Sequence, residues 1–235
     1  MKKMLSLSIA AGAVALALVS GAQAANFSFN GTFAQDDNVQ LFNFTSDGSS
    51  TAYVVSYAYG GGTQADGTVW SQGGFDTILS LFDSTGALVN SNDDGSTTCF
   101  SGAAGVAPGT VNGNTDTHTG VLYDTCFSQV LAAGSYTVAV SEYDNFANGP
   151  NLSNGFGRDG SGNFTSGNAF CTQGSFCDVS DTAIYTNRTN VWAYDILNVS
   201  AASEVVPGVP EPDSLAIMGL GLVGLLGFAR RKAST

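Results

Sequence analysis

Thr77-Ile78-Leu79-Ser80-Leu81-Phe82, followed by Asp83-Ser84-Thr85-Gly86 and then Ala87-Leu88-Val89-Asn90, is the stretch that decides the fold. Two short apolar runs flank four residues with Asp first and Gly last, which suits a type I turn between antiparallel strands. The same grammar recurs outward from this hairpin. Asn26 to Phe33 places Phe27, Phe29 and Phe33 on one face, and Val39 to Phe44 follows. Thr51 to Tyr59 places Tyr53, Val55, Tyr57 and Tyr59 on one side. Val121 to Gln129, Ser135 to Tyr143 and Val191 to Val199 complete about eight strands with turn residues between them. Gly, Ser, Thr, Asn and Asp dominate the stretch from residue 25 to 208, which contains no Lys, no Met and two Glu. Such a chain is poor in helix formers and rich in turn formers. The expected fold is all-β, an antiparallel β-sandwich, with the jelly roll as the economical arrangement.

The ends of the chain read differently. Lys2 and Lys3 precede the uncharged apolar run Leu5 to Val19, and Ala22-Gln23-Ala24 supplies small residues at a cleavage position between Ala24 and Ala25. That is the pattern of an N-terminal signal peptide spanning 1–24, read by the secretion translocase and signal peptidase. At the other end residues 215–229 form a single hydrophobic helix of roughly 22 Å, short of the ~30 Å hydrocarbon core. Gly219, Gly221, Gly224 and Gly227 loosen it, and Arg230-Arg231-Lys232 follows at once. A basic cluster there holds the tail to the cytoplasmic side and the domain outside. The expected organisation is therefore a signal peptide, a sandwich over 25–208 with a long loop or insertion at 144–190, and a sorting segment at 209–235.

Within 25–208 there are 17 Asp or Glu against Arg158 and Arg188. A domain so acidic repels phosphate backbones, which excludes nucleic-acid binding, and it attracts cations. Export sets an oxidising context, so Cys99, Cys126, Cys171 and Cys177 are expected as disulfides. Of three possible pairings the sequential one, Cys99–Cys126 with Cys171–Cys177, closes short loops. Unstrained, the first would contribute about 3 to 4 kcal/mol on a chain-entropy account. Zinc is disfavoured because no C-x-x-C pair exists and His118 is the only histidine.

Pro210-Glu211-Pro212, with the glycine-punctuated apolar run and the terminal arginines, resembles the PEP-CTERM sorting signal of Gram-negative bacteria. The resemblance implies an exosortase as processing partner and a transient inner-membrane stage. It also implies delivery to the cell surface or exterior, in a producer of extracellular polysaccharide and biofilm. Phe75 to Asp83, Asn92-Asp93-Asp94-Gly95, Ala133 to Val140 and Asp36-Asp37 together resemble the bacterial pre-peptidase C-terminal type of β-sandwich.

Calcium is the expected cofactor, if any, because hard cations take carboxylate, amide and carbonyl oxygens from glycine-bearing turns. Asp36, Asp37, Asn92, Asp93 and Asp94 are its candidate ligands, although their spacing is not that of an EF-hand. No catalytic residue is assigned. His118 sits in a Gly/Asn/Thr-rich stretch without a nucleophile elbow, and Glu142 and Asp144 share a strand parity that suits a common cleft or a solvated strand end. Non-catalytic structural or adhesive work is the expected function. Carbohydrate binding on Tyr59, Trp70, Phe146, Phe156 and Trp192 is the alternative, and a secreted hydrolase stands third.

Overall fold

The structure is a computed structural model that describes residues 24–94, 115–178 and 187–206. The expectations placed on the signal peptide, on Cys99 and on the segment 209–235 with its helix 215–229 lie outside the described residues. Among the described residues no helix is long and apolar enough to cross a membrane.

Among the described residues eleven strands form: β1 (Ala25–Thr32), β2 (Gln40–Ser46), β3 (Thr51–Ser56), β4 (Gly62–Thr63), β5 (Val69–Trp70), β6 (Thr77–Asp83), β7 (Leu88–Asn92), β8 (Cys126–Val130), β9 (Gly134–Glu142), β10 (Val191–Val199) and β11 (Ala201–Glu204). They build a four-stranded sheet in the order β1-β10-β3-β8 and a five-stranded sheet in the order β11-β2-β9-β6-β7, with β4 and β5 as a separate ribbon. Every strand pair is antiparallel. The chain crosses between the sheets at each step from β1 to β3, and again at each step from β7 to β11. Neighbours in space are thus mostly distant in sequence.

Inward-facing residues of both sheets make the core. Ala52, Val54, Trp192, Tyr194 and Ile196 meet Phe42, Phe44, Leu79, Leu81, Val138 and Val140. The alternation of inward and outward side chains follows from the two-residue period of a strand. Gly31 is required here, because a Cβ at that position would lie 2.4 Å from Cζ2 of Trp192. The hairpin at β6–β7 closes as its residues dictate. Gly86 has φ 81°, its N–H donates to the Asp83 carbonyl at 2.9 Å, and the Asp83 carboxylate accepts from Thr85 and Ala87.

Both sheets are also covered on their outer faces. Tyr53, Val55 and Tyr57 point away from the main core and pack with Leu197, Cys126 and Trp70. The β4–β5 ribbon is fixed over them: Asp195 accepts from the Ala65 N–H at 2.7 Å, and Trp70 Nε1 donates to Gln64 at 2.6 Å. Phe82 and Ala139 are capped by Phe156, Ala147 and Leu152. The first part of the segment expected as a loop is therefore a packed cover, tied to the hairpin by Leu88 N–H to Pro150 and Leu152 N–H to Gly86.

Candidate functional site

Ionisable side chains converge where β6 begins and where β7 and β9 end. Thr77 pairs with Glu142 across β6–β9, the Tyr143 N–H donates to the Asp76 carbonyl at 2.9 Å, and Leu79 pairs with Asn92 across β6–β7. That register brings Asp76, Glu142 and the Asn92-Asp93-Asp94 turn to one end of the five-stranded sheet. Asp178 and Asp36 approach it from the segment after β9 and the turn after β1. Asp76 is 4% exposed and Glu142 3%. Oδ1 of Asp76 and Oε2 of Glu142 are buried without a hydrogen-bond partner.

Burial first, then the nearby charges of Asp36, Asp76 and Asp178, pushes the Glu142 carboxyl up to about 10. Burial, followed by Asp178, Asp94, Asp93 and Asp124, likewise holds Asp76 well above the ordinary carboxylate range. Asp124 is lifted to about 6 by burial, against the opposing pull of the Gly60 and Tyr59 amides and the Ser56 hydroxyl. The two arginines of the region are engaged elsewhere. Arg158 pairs with Asp144. Arg188 pairs with Asp116 at 2.8 Å, lies 4.0 Å from Asp178 and stacks 3.8 Å above the Tyr59 ring.

The raised values fix a pH dependence. A carboxyl whose folded value exceeds its unfolded one keeps a proton that the unfolded chain releases, so stability falls with pH across that interval. For Glu142 the contribution is whole below about 4.5 and is lost as pH climbs through about 10. Thermal melts in EDTA are expected to show a midpoint that declines steadily from pH 5 to pH 9. A midpoint rising over that range would contradict the buried-carboxyl account.

The residues expected to hold calcium do not share one cup. Asp36 is buried, and its oxygens accept from the Phe176 N–H at 2.8 Å and from the Thr165 N–H and hydroxyl. Asp37 accepts from the Gly162 N–H at 2.7 Å. These carboxylates stitch the 160–178 segment to the sandwich. Asn92 donates to the Asp94 and Cys126 carbonyls, and the Asp93 carbonyl accepts from the Thr125 hydroxyl at 2.8 Å. Among the described residues no three His, Cys, Asp or Glu gather closely enough to hold a metal.

Other expected positions are placed as follows. Cys171 and Cys177 are joined, with S–S 2.05 Å; Cys126 is disulfide-bonded and buried. His118 is half-exposed, its Nδ1 2.6 Å from Gln72 and 3.7 Å from Asp116. Glu142 and Asp144 do not share a cleft: β9 ends at Glu142, and Asp144 turns outward with φ 73°. The aromatic platform does not form either. Tyr59, Phe156 and Trp192 are buried, because the cover segments and the main core claim them. Only Trp70 and Phe146 of the five keep partial exposure. Sequence reasoning missed Asp76, whose signal was a carboxylate directly beside the apolar run of β6.

A groove of 540 Å³ also opens at the far end of the five-stranded sheet, lined by Asn43, Thr45, Thr85, Ser135, Tyr136 and Thr137 among others.

Residues 208–232 match the PEP-CTERM protein-sorting motif. Curated proteins give no match to the chain. The motif implies export, transient membrane anchoring, processing by an exosortase, and release to the cell surface or extracellular space.

Proposed function

We propose that the sandwich of this exosortase-sorted extracellular protein does non-catalytic structural or adhesive work at the cell surface or in an extracellular polysaccharide matrix. The sorting motif at 208–232 is the observation that carries this reading, because it sends a cross-linked, doubly covered β domain to the exterior. Two buried carboxylates are bound within the fold, Asp36 to Thr165 and Phe176 and Asp116 to Arg188, which supports a structural reading. Calcium belongs to the same reading as its one proposed cofactor.

Mass spectrometry of the membrane and released fractions tests the route. The released chain is expected to start at Ala25 and to end near Pro212. A released chain that keeps its residues through Thr235 would overturn the processing step.

A second reading is carbohydrate binding. The groove favours it, since its volume suits a small ligand and hydroxyl, amide and tyrosine groups line it. Retention of the released domain on matrix polysaccharide supports that reading; free passage through the same column removes it.

A further inference from the structure

We propose that Asp76 and Glu142 form a binding site for a hard divalent cation at the end of the five-stranded sheet. Two observations carry it. Both side chains are more than nine-tenths buried, and each holds an oxygen that no donor among the described residues satisfies. A buried carboxyl without a partner is costly, and two on adjacent strand ends are a liability unless something neutral or positive sits between them. Among the described residues no cationic side chain fills that role. Arg188 is bound to Asp116 and stacked on Tyr59, and Arg158 is bound to Asp144. Asp36 and Asp178 lend negative potential from close by, but their oxygens are held by Thr165, Phe176 and Tyr59.

The donor set defines the ion. Carboxylate ligands suit calcium or magnesium rather than a transition metal. Calcium tolerates an irregular oxygen shell, whereas magnesium demands near-ideal octahedral geometry. With two carboxylates, carbonyls and water must complete a shell of about six to eight oxygens. So few charged ligands place the affinity with that of extracellular modules, Kd on the order of 10⁻⁴ to 10⁻³ M. The site differs from the five residues expected from sequence: it uses the unsatisfied carboxyls of Asp76, just before β6, and Glu142, at the end of β9, whereas the Asp36 and Asp37 carboxylates are already hydrogen-bonded.

Calorimetric titration of the exported protein with calcium chloride at pH 7 tests this. Saturation in the stated range is expected. At 5 mM calcium the melting midpoint should stand about 2 to 8 °C above that in EDTA. The doubly neutral variant Asp76→Asn/Glu142→Gln keeps the shapes, and should lose both the heat and the shift. Glu204→Gln, an exposed change on β11, should lose neither. If the double variant does not fold, the single variant Glu142→Gln carries the same comparison. No calcium heat, no shift in EDTA, or equal binding by the double variant each overturns the proposal.

Discussion

Replacing Arg188 with methionine is expected to lower folding stability by about 3 to 5 kcal/mol, read as a fall in the urea midpoint at unchanged m-value. The magnitude follows from what the guanidinium leaves behind. Asp116 is buried and bonded to Arg188 at 2.8 Å, and Asp178 shares Tyr59 with it. Burial pushes the Asp116 carboxyl up, but the Arg188 hydrogen bond and the Thr119 and His118 amides outweigh it and hold the group below its ordinary value. A depressed folded value contributes stability above the unfolded one, and that stability disappears as pH falls. The deficit of the variant should therefore shrink in acid, where Asp116 takes up a proton. Lysine should rescue only part, since it forms neither the fork to two partners nor the planar stack on Tyr59. A loss under 1 kcal/mol would show that other groups satisfy both carboxylates.

Phe42→Ala is expected to cost about 3 to 5 kcal/mol through lost burial and the cavity left at the centre of the sandwich. Phe42 is fully buried, and its ring centroid lies 4.8 Å from Phe29, 4.7 Å from Tyr194 and 5.6 Å from Trp192. Those partners come from β1 and β10, so the gap cannot close without moving both strands. Phe146→Ala, at a ring 37% exposed, is the matched control and should stay within about 0.5 kcal/mol. Similar losses for the two variants would mean that the centre of the core repacks.

Much of this fold is legible along the chain, and the exceptions have physical causes. Every expected strand from Asn26 to Val199 has a counterpart, because short apolar runs bounded by Gly, Asp and Asn report a local period. The β4–β5 ribbon was missed, being two residues long on each side. Yet β3 announced it: Ala52 and Val54 alternate with Tyr53, Val55 and Tyr57, so both faces need cover. The stretch from 144 looked like a loop because Gly, Asn and Ser carry no period. It packs through a few apolar contacts, Ala147, Leu152 and Phe156, that no pattern singles out.

The candidate site was less legible. Asp36, Asp37 and Asn92-Asp93-Asp94 stand out as paired acids in turns, and in the structure the Asp36 and Asp37 carboxylates accept from Gly162, Thr165 and Phe176, more than a hundred positions away. Asp76 and Glu142 look like ordinary strand-end acids. Their burial depends on β6 pairing with β9 and on the segment after β9 folding back over the strand ends.

The sequence by itself determined the strand content, the turn at Asp83 to Gly86, the acidic balance and the sorting motif at the end of the chain. Each is a property of adjacent residues, since turn chemistry, two-residue alternation and short linear signals need no distant partner. Only the tertiary structure decided which strands are neighbours, which aromatics are core and which carboxyls are orphaned. Those outcomes depend on pairing between residues more than a hundred positions apart, such as Phe29 with Tyr194. Burial, the quantity that shifts a carboxyl, comes from what the rest of the chain places around a residue.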